Sequence, residues 1–294
     1  MLAGATASGK SHLALSLAEA FNGVIIAADS RTIYRDFDIG TAKPTAEEQA
    51  RVPHRMIDVA DPTDTYTVAR FKAAAIEAIA EVHAAGKLPM LVGGTGFYIR
   101  GLIGGLSIPE VPPQPELRAK FEALADPHAR LAEVDPVTAA RLHPNDRMRV
   151  IRALEVEAVL GKPLSEAATK VESPYDALYL ALGMDRELLY DRINRRTHLM
   201  MEMGLVEEVE RLMARYGAEL PLLQTLGYAE TMDYLTGRAT KDEAIAAIQQ
   251  HTRNYAKRQL TWFRREAGVR WLDGDRPEGL FDEATGLIEE WRKA

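Results

Sequence analysis

Residues 4–11 combine glycines, a lysine and a serine at the spacing of a phosphate-binding loop. The run Gly4-Ala-Thr-Ala-Ser-Gly9-Lys10-Ser11 matches the pattern G-x-x-x-x-G-K-[ST]. In such a loop backbone N–H groups surround a phosphate, the lysine adds positive charge, and the serine hydroxyl is offered to a magnesium ion. A glycine-rich turn that only caps a helix is the alternative, but an amphipathic helix starts where the motif requires one. We predict a site for a phosphorylated ligand.

A proton acceptor is predicted near this loop. Asp29 and Ser30 directly follow an apolar run at 24–28 that is typical of a strand. Asp29 should therefore stand at the carboxyl edge of the sheet, where open α/β folds bind their ligands. A carboxylate there can accept a proton from an attacking amine or hydroxyl. A turn or N-cap aspartate fits the same spacing, and both interpretations remain open.

A hydroxyl follows the next apolar run, at residues 88–92, which leads into Gly93-Gly94-Thr95. Thr95 can donate a hydrogen bond to a phosphate oxygen, and the two glycines let backbone approach a ligand. The alternative role of Thr95 is the N-cap of a helix at 96–102. Motor and switch NTPases place an acidic residue after their second strand instead, so energy-coupled ATP hydrolysis is disfavoured.

Positive charge and aromatic side chains coincide near the end of the chain. Residues 253–265 contain no acid, although the formal net charge of the whole chain is −7. Such a segment can face a polyanion, because phosphate binding depends on locally concentrated charge; a solvated helix face is the alternative. Its basic residues are Arg253, Lys257, Arg258, Arg264 and Arg265, and its aromatic residues are Tyr255, Trp262 and Phe263.

Alternating strands and helices must position these residues. The alternation predicts an α/β fold whose core is a P-loop NTPase-like parallel sheet, followed by a largely helical C-terminal part. Only residues 1–3 precede the phosphate loop, so we expect its own strand to be short or truncated. The other predicted strands are 24–28, 55–59, 88–92, 179–184 and 269–272, and the first helices are 10–21 and 68–85.

A helical insertion is predicted to interrupt this core. The prolines in 108–115 exclude a helix interior there, and the residues that follow have helical periodicity without strands. We therefore predict a catalytic core at 1–109 and 176–294 and a helical insertion domain at 110–175. Helices in the insertion are predicted at 116–125, 136–142 and 146–160.

Composition limits the class of protein. The chain has 294 residues and no cysteine, which excludes disulfides, iron–sulfur clusters and cysteine-based zinc sites. No apolar run approaches the roughly 18 residues of a membrane span. We expect a soluble, cytoplasmic protein of about two domains that does not bind membranes.

Seven segments together resemble the tRNA dimethylallyltransferase family, in order and over nearly the whole chain. The absence of cysteine agrees with the bacterial form, which lacks the zinc finger of eukaryotic relatives. The segments are GATASGKS at 4–11, DSRTIY at 29–34, DIGTAKP at 38–44, PHRMIDV at 53–59, LVGGTGFY at 91–98, HPNDRMRVIRALEV at 143–156 and AKRQLTWFRR at 256–265.

This resemblance implies an alkyl transfer from dimethylallyl diphosphate to N6 of the adenosine 3′ of the anticodon in tRNA. Asp29 would accept the N6 proton or hydrogen-bond N6, and Thr95 and Arg196 would stabilise the departing diphosphate. Ser11 would bind Mg²⁺, and the protein would be a monomer. The residues implied to bind the diphosphate are Gly4, Thr6, Ala7, Ser8, Gly9, Lys10 and Ser11.

The resemblance also implies a tRNA-binding surface, over which the insertion would close on the anticodon loop. Thr32 stands where the family often has glutamine, at a position expected to help read a neighbouring base. The implied contacts are Asp29, Ser30, Arg31, Thr32, Arg118, Met148, Arg149, Val150, Ile151, Arg152, Gln224, Thr225, Leu226, Gly227, Tyr228, Ala229, Lys257, Arg258, Gln259, Leu260, Thr261, Trp262, Phe263 and Arg264.

Two other functions compete with the transferase. In a small-molecule kinase the same loop would hold ATP and Asp29 would activate a hydroxyl, but the basic segment and the insertion would have no task. In a non-catalytic RNA-binding protein the loop would be structural or would sense a nucleotide. Such a binder does not need a base together with a phosphate clamp.

Overall fold

Six strands form one parallel sheet in the computed structural model, which describes residues 1–105, 109–169 and 173–294. Within those residues the strands are short and mostly buried, because helices cover parallel sheets. They are β1 Leu2–Gly4, β2 Gly23–Ala27, β3 His54–Arg55, β4 Leu88–Gly93, β5 Leu180–Gly183 and β6 Arg270–Asp273.

The order β3-β2-β4-β1-β5-β6 places β1 in the middle of the sheet. Leu2 is in register with Val92 of β4 and with Leu180 of β5. Since all strands run the same way, their carboxyl ends share one edge, so the segments that follow β1, β2 and β4 start side by side. The predicted α/β class with a parallel sheet core is confirmed.

The strand predicted at 55–59 is only two residues long. Met56 and Asp58 have φ angles of 65° and 56°, which lie in the left-handed region and end the extended conformation. Tyr34 nevertheless forms an isolated parallel bridge with Ala60, so the chain stays beside the sheet beyond β3.

Helices make up most of the remaining chain. The predictions at 10–21 and 68–85 agree with α1 and α3 to within one residue. Of the described residues, none lies in a helix that is both long and apolar enough to span a bilayer. The helices are α1 Lys10–Ala20, α2 Ala46–Arg51, α3 Val68–Ala84, α4 Gly96–Ile103, α5 Pro115–Glu122, α6 Pro127–Val134, α7 Pro136–Arg141, α8 Arg147–Leu160, α9 Leu164–Ala167, α10 Arg186–Glu202, α11 Leu205–Tyr216, α12 Tyr228–Leu235, α13 Lys241–Phe263 and α14 Leu280–Lys293.

The chain divides into two units, the first of which contains the sheet and comprises Met1–Tyr66, Ala73–Ile99 and Asp176–Ala294. Its core packs apolar residues of α1 and α14 against the sheet, for example Leu17 against the strands and Ile288 from α14. Each such fully buried leucine or isoleucine stabilises the fold by about 2 kcal/mol. This core gives the carboxyl edge of the sheet a rigid support.

The second unit comprises Thr67–Lys72 and Arg100–Tyr175. Its core contains Leu131, Val150 and Leu154, and helices α5, α7 and α8 agree with the helices predicted there. The unpredicted α6 begins at Pro127, and the carboxylate of its N-cap, Asp126, accepts the N–H of Ala129. Ile108 of the predicted proline-rich break and residues 170–172 of the predicted insertion lie outside the described residues.

Candidate active site

The phosphate loop leaves β1 and enters α1 through two left-handed residues. Ala7 has a φ of 63° and Gly9 a φ of 93°; for Ala7 this conformation costs roughly 1 kcal/mol or more. Gly9 is the N-cap of α1 and, having no side chain, leaves the first N–H groups of the helix available to a ligand. The loop therefore presents the positive end of a helix dipole to an anion.

Two cations converge on this loop. Desolvation lowers the pKa of Lys10 to about 8, an effect that Asp29 opposes and Arg196 reinforces. Desolvation also lowers the pKa of Arg196, whose Nη2 donates to Thr6 Oγ1 over 3.0 Å. Two desolvated cations near a single carboxylate favour the binding of an anion.

The neighbouring arginines of α10 behave differently from each other. Arg195 is exposed and pairs with Asp191 of the same helix at 2.5 Å, as expected of a solvated surface charge. Arg192 instead donates from Nη1 to the Ser8 carbonyl at 3.3 Å. Its position, one helical turn before Arg196, places it against the loop; only the tertiary structure reveals this contact.

Asp29 and Thr95 lie in neighbouring loops at the sheet edge. Asp29 Oδ1 accepts the N–H of Arg31 at 2.8 Å, so the aspartate also shapes its own turn. The N–H of Ser30 donates to Thr95 Oγ1 at 3.0 Å, which ties the loop after β2 to the loop after β4. The Thr95 carbonyl accepts the N–H of Tyr98 at 3.0 Å and so starts α4. Asp29 therefore also has the turn role, and Thr95 the helix-start position, that the sequence offered as alternatives.

Tyr255 was not anticipated as a site residue, yet its ring lies beside these two loops. Burial raises the pKa of the Tyr255 phenol to about 12, an effect that the Asp29 carboxylate increases and a hydrogen bond with Thr95 decreases. Tyr255 belongs to the aromatic and basic segment, but no local pattern distinguished it from the other aromatic residues there. Its role follows from where α13 packs.

A cavity of about 650 Å³ is lined by Lys10, Asp29, Arg196 and Tyr255, but not by Thr95. A cavity of this volume accommodates a small molecule, with a few polar groups to fix its orientation. Its polar wall includes Thr6, Lys10, Ser11, Asp29 and Arg196, so the structure brings together these predicted site residues. Its apolar wall includes Ile193 and Met200 of α10, Ile248 of α13 and Leu226 before α12, together with residues of α1, β2 and β4.

Glycines after β4 allow close packing between protein segments. A Cβ at Gly93 would lie 2.1 Å from the Ala28 carbonyl oxygen, and one at Gly94 would lie 2.2 Å from Gln259 Nε2. Both glycines therefore serve packing between protein segments; Gly93 also lines the cavity, so the approach of a ligand to this backbone stays a prediction. The atoms that would meet the added carbon belong to the loop after β2 and to α13.

Helix α13 separates the basic segment into an outer and an inner face. Lys257, Arg258 and Arg264 are exposed. Phe263 is fully buried, and Trp262 packs edge-on against another ring with centroids 6.5 Å apart. Phe263 therefore packs within the protein, whereas Tyr255 lines the cavity, and a contact of the aromatic residues with nucleic acid stays a prediction.

The segment at 224–229 contributes to the cavity. Gln224, Thr225, Leu226, Gly227 and Tyr228 line it, and the buried Tyr228 donates its hydroxyl to Glu208 at 2.7 Å. Thr32 lines the cavity too, and its buried hydroxyl has no hydrogen-bond partner within the part of the chain that the structure describes. These segments are predicted tRNA contacts that share a wall with the phosphate loop.

In the second unit a buried glutamate holds two arginines of the predicted tRNA surface. Glu155 is fully buried; its Oε1 accepts Arg118 Nε at 2.9 Å, and its Oε2 pairs with Arg152. Val150 and Ile151 lie in the core, so their side chains do not face solvent. Met148 and Arg149 are exposed. Backbone, rather than side chain, is what Val150 and Ile151 can offer to a partner.

Comparison with known proteins identifies the family of the chain. The family profile described as IPP transferase matches residues 32–266. A tRNA dimethylallyltransferase of Picosynechococcus sp. is 48% identical over 292 residues, covering 99% of this chain and 98% of that protein. The enzyme of the same name from Thermosynechococcus vestitus is 49% identical, covering 96% and 92% of the two chains.

Solved structures agree as well. The tRNA isopentenylpyrophosphate transferase of Bacillus halodurans superposes with a TM-score of 0.73 at 40% identity, covering 99% of this chain and 97% of that one. A eukaryotic dimethylallyltransferase acting on tRNA gives a TM-score of 0.83 at 29% identity, with 98% and 76% covered. On the strength of full-length identity, fold and site, the chain belongs to the tRNA dimethylallyltransferase family.

Proposed function

We infer that this chain transfers the dimethylallyl group of dimethylallyl diphosphate to N6 of the adenosine 3′ of the anticodon in tRNA. The products are N6-isopentenyladenosine and diphosphate. One observation carries this inference: in a member of this family, a single cavity joins a cationic phosphate loop, a carboxylate and an apolar wall. A prenyl diphosphate has a matching charged end and apolar end.

The diphosphate end of the substrate binds the loop and its cations. Lys10 and Arg196 neutralise the charge that develops on the leaving oxygen, and the N-terminal N–H groups of α1 add hydrogen bonds. Arg196 is held by Thr6, so its guanidinium is oriented before the substrate arrives. In this proposal Thr95 keeps the two strand-end loops together through Ser30 and so orients Asp29.

The adenine amine approaches from the side of Asp29. The N6 lone pair forms a bond to the allylic carbon, the C–O bond breaks, and its electron pair leaves with the diphosphate. Asp29 accepts the N6 proton as positive charge develops on the nitrogen. Holding N6 in line with the carbon removes the entropy cost of bringing two substrates together.

Magnesium fits the donors that the chain supplies. Ser11 and Asp29 offer oxygen ligands at the same cavity, and among the described residues no cluster of three or more His, Cys, Asp or Glu side chains forms a metal site without the substrate. Mg²⁺ typically takes one or two protein oxygens and completes its shell with phosphate oxygens and water. Ser11 would hold the ion, which supplies charge neutralisation on the departing diphosphate.

The exposed basic residues of α13 are proposed to bind the tRNA backbone near the cavity. Lys257, Arg258 and Arg264 supply the positive charge, and the segment 224–229 lines the route to Asp29. Anticodon-loop bases are single-stranded and can leave the stack to reach such a pocket. The closing role of the 110–175 insertion, the monomeric state and the cytoplasmic location stay predictions.

Label transfer tests the proposal. Purified protein is incubated with Mg²⁺, radiolabelled dimethylallyl diphosphate and an anticodon stem-loop that carries adenosine 3′ of the anticodon, with ATP present or absent. We expect label in RNA regardless of ATP, and a loss of about 100-fold or more in Asp29→Ala. Folded protein that transfers no label but consumes ATP when small hydroxylated metabolites are supplied would overturn the proposal in favour of a kinase.

A further inference from the structure

Gln259 joins the two halves of the proposed site through its side-chain amide. Its Oε1 accepts the backbone N–H of Thr6 at 2.8 Å, and its Nε2 donates to the Gly94 carbonyl at 2.9 Å. The orientation of the amide is unambiguous, because an N–H can only donate and a carbonyl can only accept. The bonds therefore link α13 to the phosphate loop and to the loop after β4.

Each of these two partners is adjacent to a residue proposed to act on the diphosphate or on Asp29. Thr6 accepts the guanidinium of Arg196 through Oγ1, and Gly94 precedes Thr95, whose hydroxyl holds Ser30. A displacement of the Thr6 backbone would move the Thr6 side chain, and a displacement of the Gly94 backbone would move the Thr95 side chain. Gln259 therefore connects the phosphate loop, which holds Arg196 through Thr6, to the loop after β4, which holds the Asp29 loop through Thr95.

The side chain is built into the protein at this point. Gln259 is 6% exposed, and a Cβ on Gly94 would lie 2.2 Å from its Nε2, so the glycine makes room for the amide. Its neighbours Lys257 and Arg258 are exposed. Gln259 also lines the cavity, and these two bonds use only one N–H and one acceptor lone pair of its amide, so its contact with tRNA stays a prediction.

We propose that Gln259 is a positioning residue that holds the phosphate loop and the loop after β4 in register with α13. This inference rests on the proposed function and deepens it. Since the outer face of the same helical turn carries the basic residues proposed for tRNA, the side chain also fixes the distance between the bound RNA and the diphosphate clamp.

Two substitutions separate positioning from tRNA contact. Gln259→Met keeps the length and loses both hydrogen bonds. Gln259→Glu keeps the acceptor for Thr6 and regains a donor for Gly94 only when its carboxyl is protonated. Gln250→Met is the matched control, since Gln250 is exposed on the same helix. Label transfer, dissociation constants for the stem-loop and amide hydrogen exchange of residues 1–12 are measured for each.

For Gln259→Met we expect kcat/KM for dimethylallyl diphosphate to fall roughly 10- to 100-fold, while the stem-loop dissociation constant changes less than about twofold. Exchange in residues 1–12 should accelerate. For Gln259→Glu the rate relative to Gln259→Met should rise at least about threefold between pH 8 and pH 5.5, as the carboxyl regains its proton. The control should match the unsubstituted protein in all three measurements.

A weakened stem-loop affinity with unchanged kcat/KM for the diphosphate would overturn the proposal and make Gln259 a tRNA contact. Unchanged exchange in residues 1–12 would also overturn it. If Gln259→Met does not fold, Gln259→Glu decides alone: a rate relative to the unsubstituted protein that does not rise between pH 8 and pH 5.5 would overturn the proposal. If the unsubstituted protein transfers no label, the proposed function fails, and hydrogen exchange still tests the linkage by itself.

Discussion

At the scale of the residue, the site is defined by cations that lack full compensation. Lys10 and Arg196 are desolvated beside one another, and Asp29 is the carboxylate that opposes the shift of both pKa values. Removing water from like charges is costly unless an anion joins them. A diphosphate supplies that anion, so its binding compensates the charge of the two desolvated cations.

Titration of Lys10 should make kcat/KM for dimethylallyl diphosphate depend on pH. Burial lowers its pKa to about 8, so in the free protein the ammonium is present below pH 8 and is lost as the pH rises through that value. Since the diphosphate binds the ammonium form, kcat/KM for dimethylallyl diphosphate should fall by up to about tenfold per pH unit above pH 8. A pH profile of kcat/KM measures this.

The control for the profile is Lys10→Met. It should lower kcat/KM at pH 7 and remove the inflection near pH 8, since the titrating group is gone. An inflection that persists in this variant would assign the titration to another group and contradict the role of Lys10.

At the scale of the element, two local motifs turn out to be anchors between distant segments. The DIGTAKP segment at 38–44 wraps around a buried glutamate of α11: Glu208 accepts the N–H groups of Ile39 at 2.8 Å and of Gly40 at 3.2 Å, together with the Tyr228 hydroxyl. Gly40 has no Cβ where one would lie 2.4 Å from the Tyr228 ring. The motif therefore fixes one wall of the cavity.

Replacing Glu208 with glutamine should loosen this wall. The amide keeps one acceptor oxygen and turns an NH₂ group toward donors, so at least one buried N–H loses its partner. We expect Glu208→Gln to lower the free energy of unfolding by about 1–3 kcal/mol in urea titrations. Glu210→Gln, exposed on the same helix, should change it by less than about 0.5 kcal/mol. Equal effects of the two would contradict the anchoring role.

Gly93, the last residue of β4, is the second of these anchors. A methyl group at Gly93 would lie 2.1 Å from the carbonyl oxygen of Ala28, which is backbone and has little room to move. Gly93→Ala should therefore lower stability by roughly 2 kcal/mol or more and weaken diphosphate binding as the loops separate. Thermal unfolding and KM measurements test this.

Gly286→Ala is the opposite case and serves as the control. Apart from the backbone of α14 itself and the two chain neighbours, no atom of the described residues lies within 4 Å of a Cβ added at Gly286, so alanine there should stabilise the helix by up to about 1 kcal/mol. A Gly93→Ala protein as stable as the control would show that the two loops can separate without cost.

At the scale of the whole molecule, charge is distributed rather than uniform. The formal net charge is −7, yet α13 carries Lys257 and Arg258, and Arg264 caps its C-terminal end; all three are exposed. Phosphate backbones respond to local positive charge, and each neutralised phosphate releases counterions. An acidic protein can therefore bind tRNA at one face while the remaining surface repels it.

The salt dependence of binding tests this distribution. Each of Lys257→Gln, Arg258→Gln and Arg264→Gln should reduce the slope of log Kd against log salt by about one, in filter-binding titrations with the stem-loop. Arg276→Gln is a control at another exposed arginine, whose partner is Asp273. A slope that is unchanged in the triple variant would exclude this face as the RNA surface.

The local structural elements of this protein could be predicted from the sequence alone. The phosphate loop, helix α1, most of the strands and the parallel α/β class follow from residue spacing and apolar periodicity, because backbone hydrogen bonds and side-chain alternation act over a few residues. It also brought Lys10 and Asp29 to one sheet edge. The succession of motifs along the chain resembles one family, and this resemblance predicted the role of Arg196 and the reaction.

Only the tertiary structure decided which side chains serve the site and which serve the packing. Thr6 and Gln259 are 253 positions apart, so no local pattern relates them. The same holds for Tyr255 beside Thr95 and for Arg192 beside Ser8. Within one basic and aromatic segment, the packing of α13 turned Gln259 and Phe263 inward and left Lys257 and Arg264 in solvent. Such a choice depends on what the rest of the chain places against each face, which spacing along the sequence does not encode.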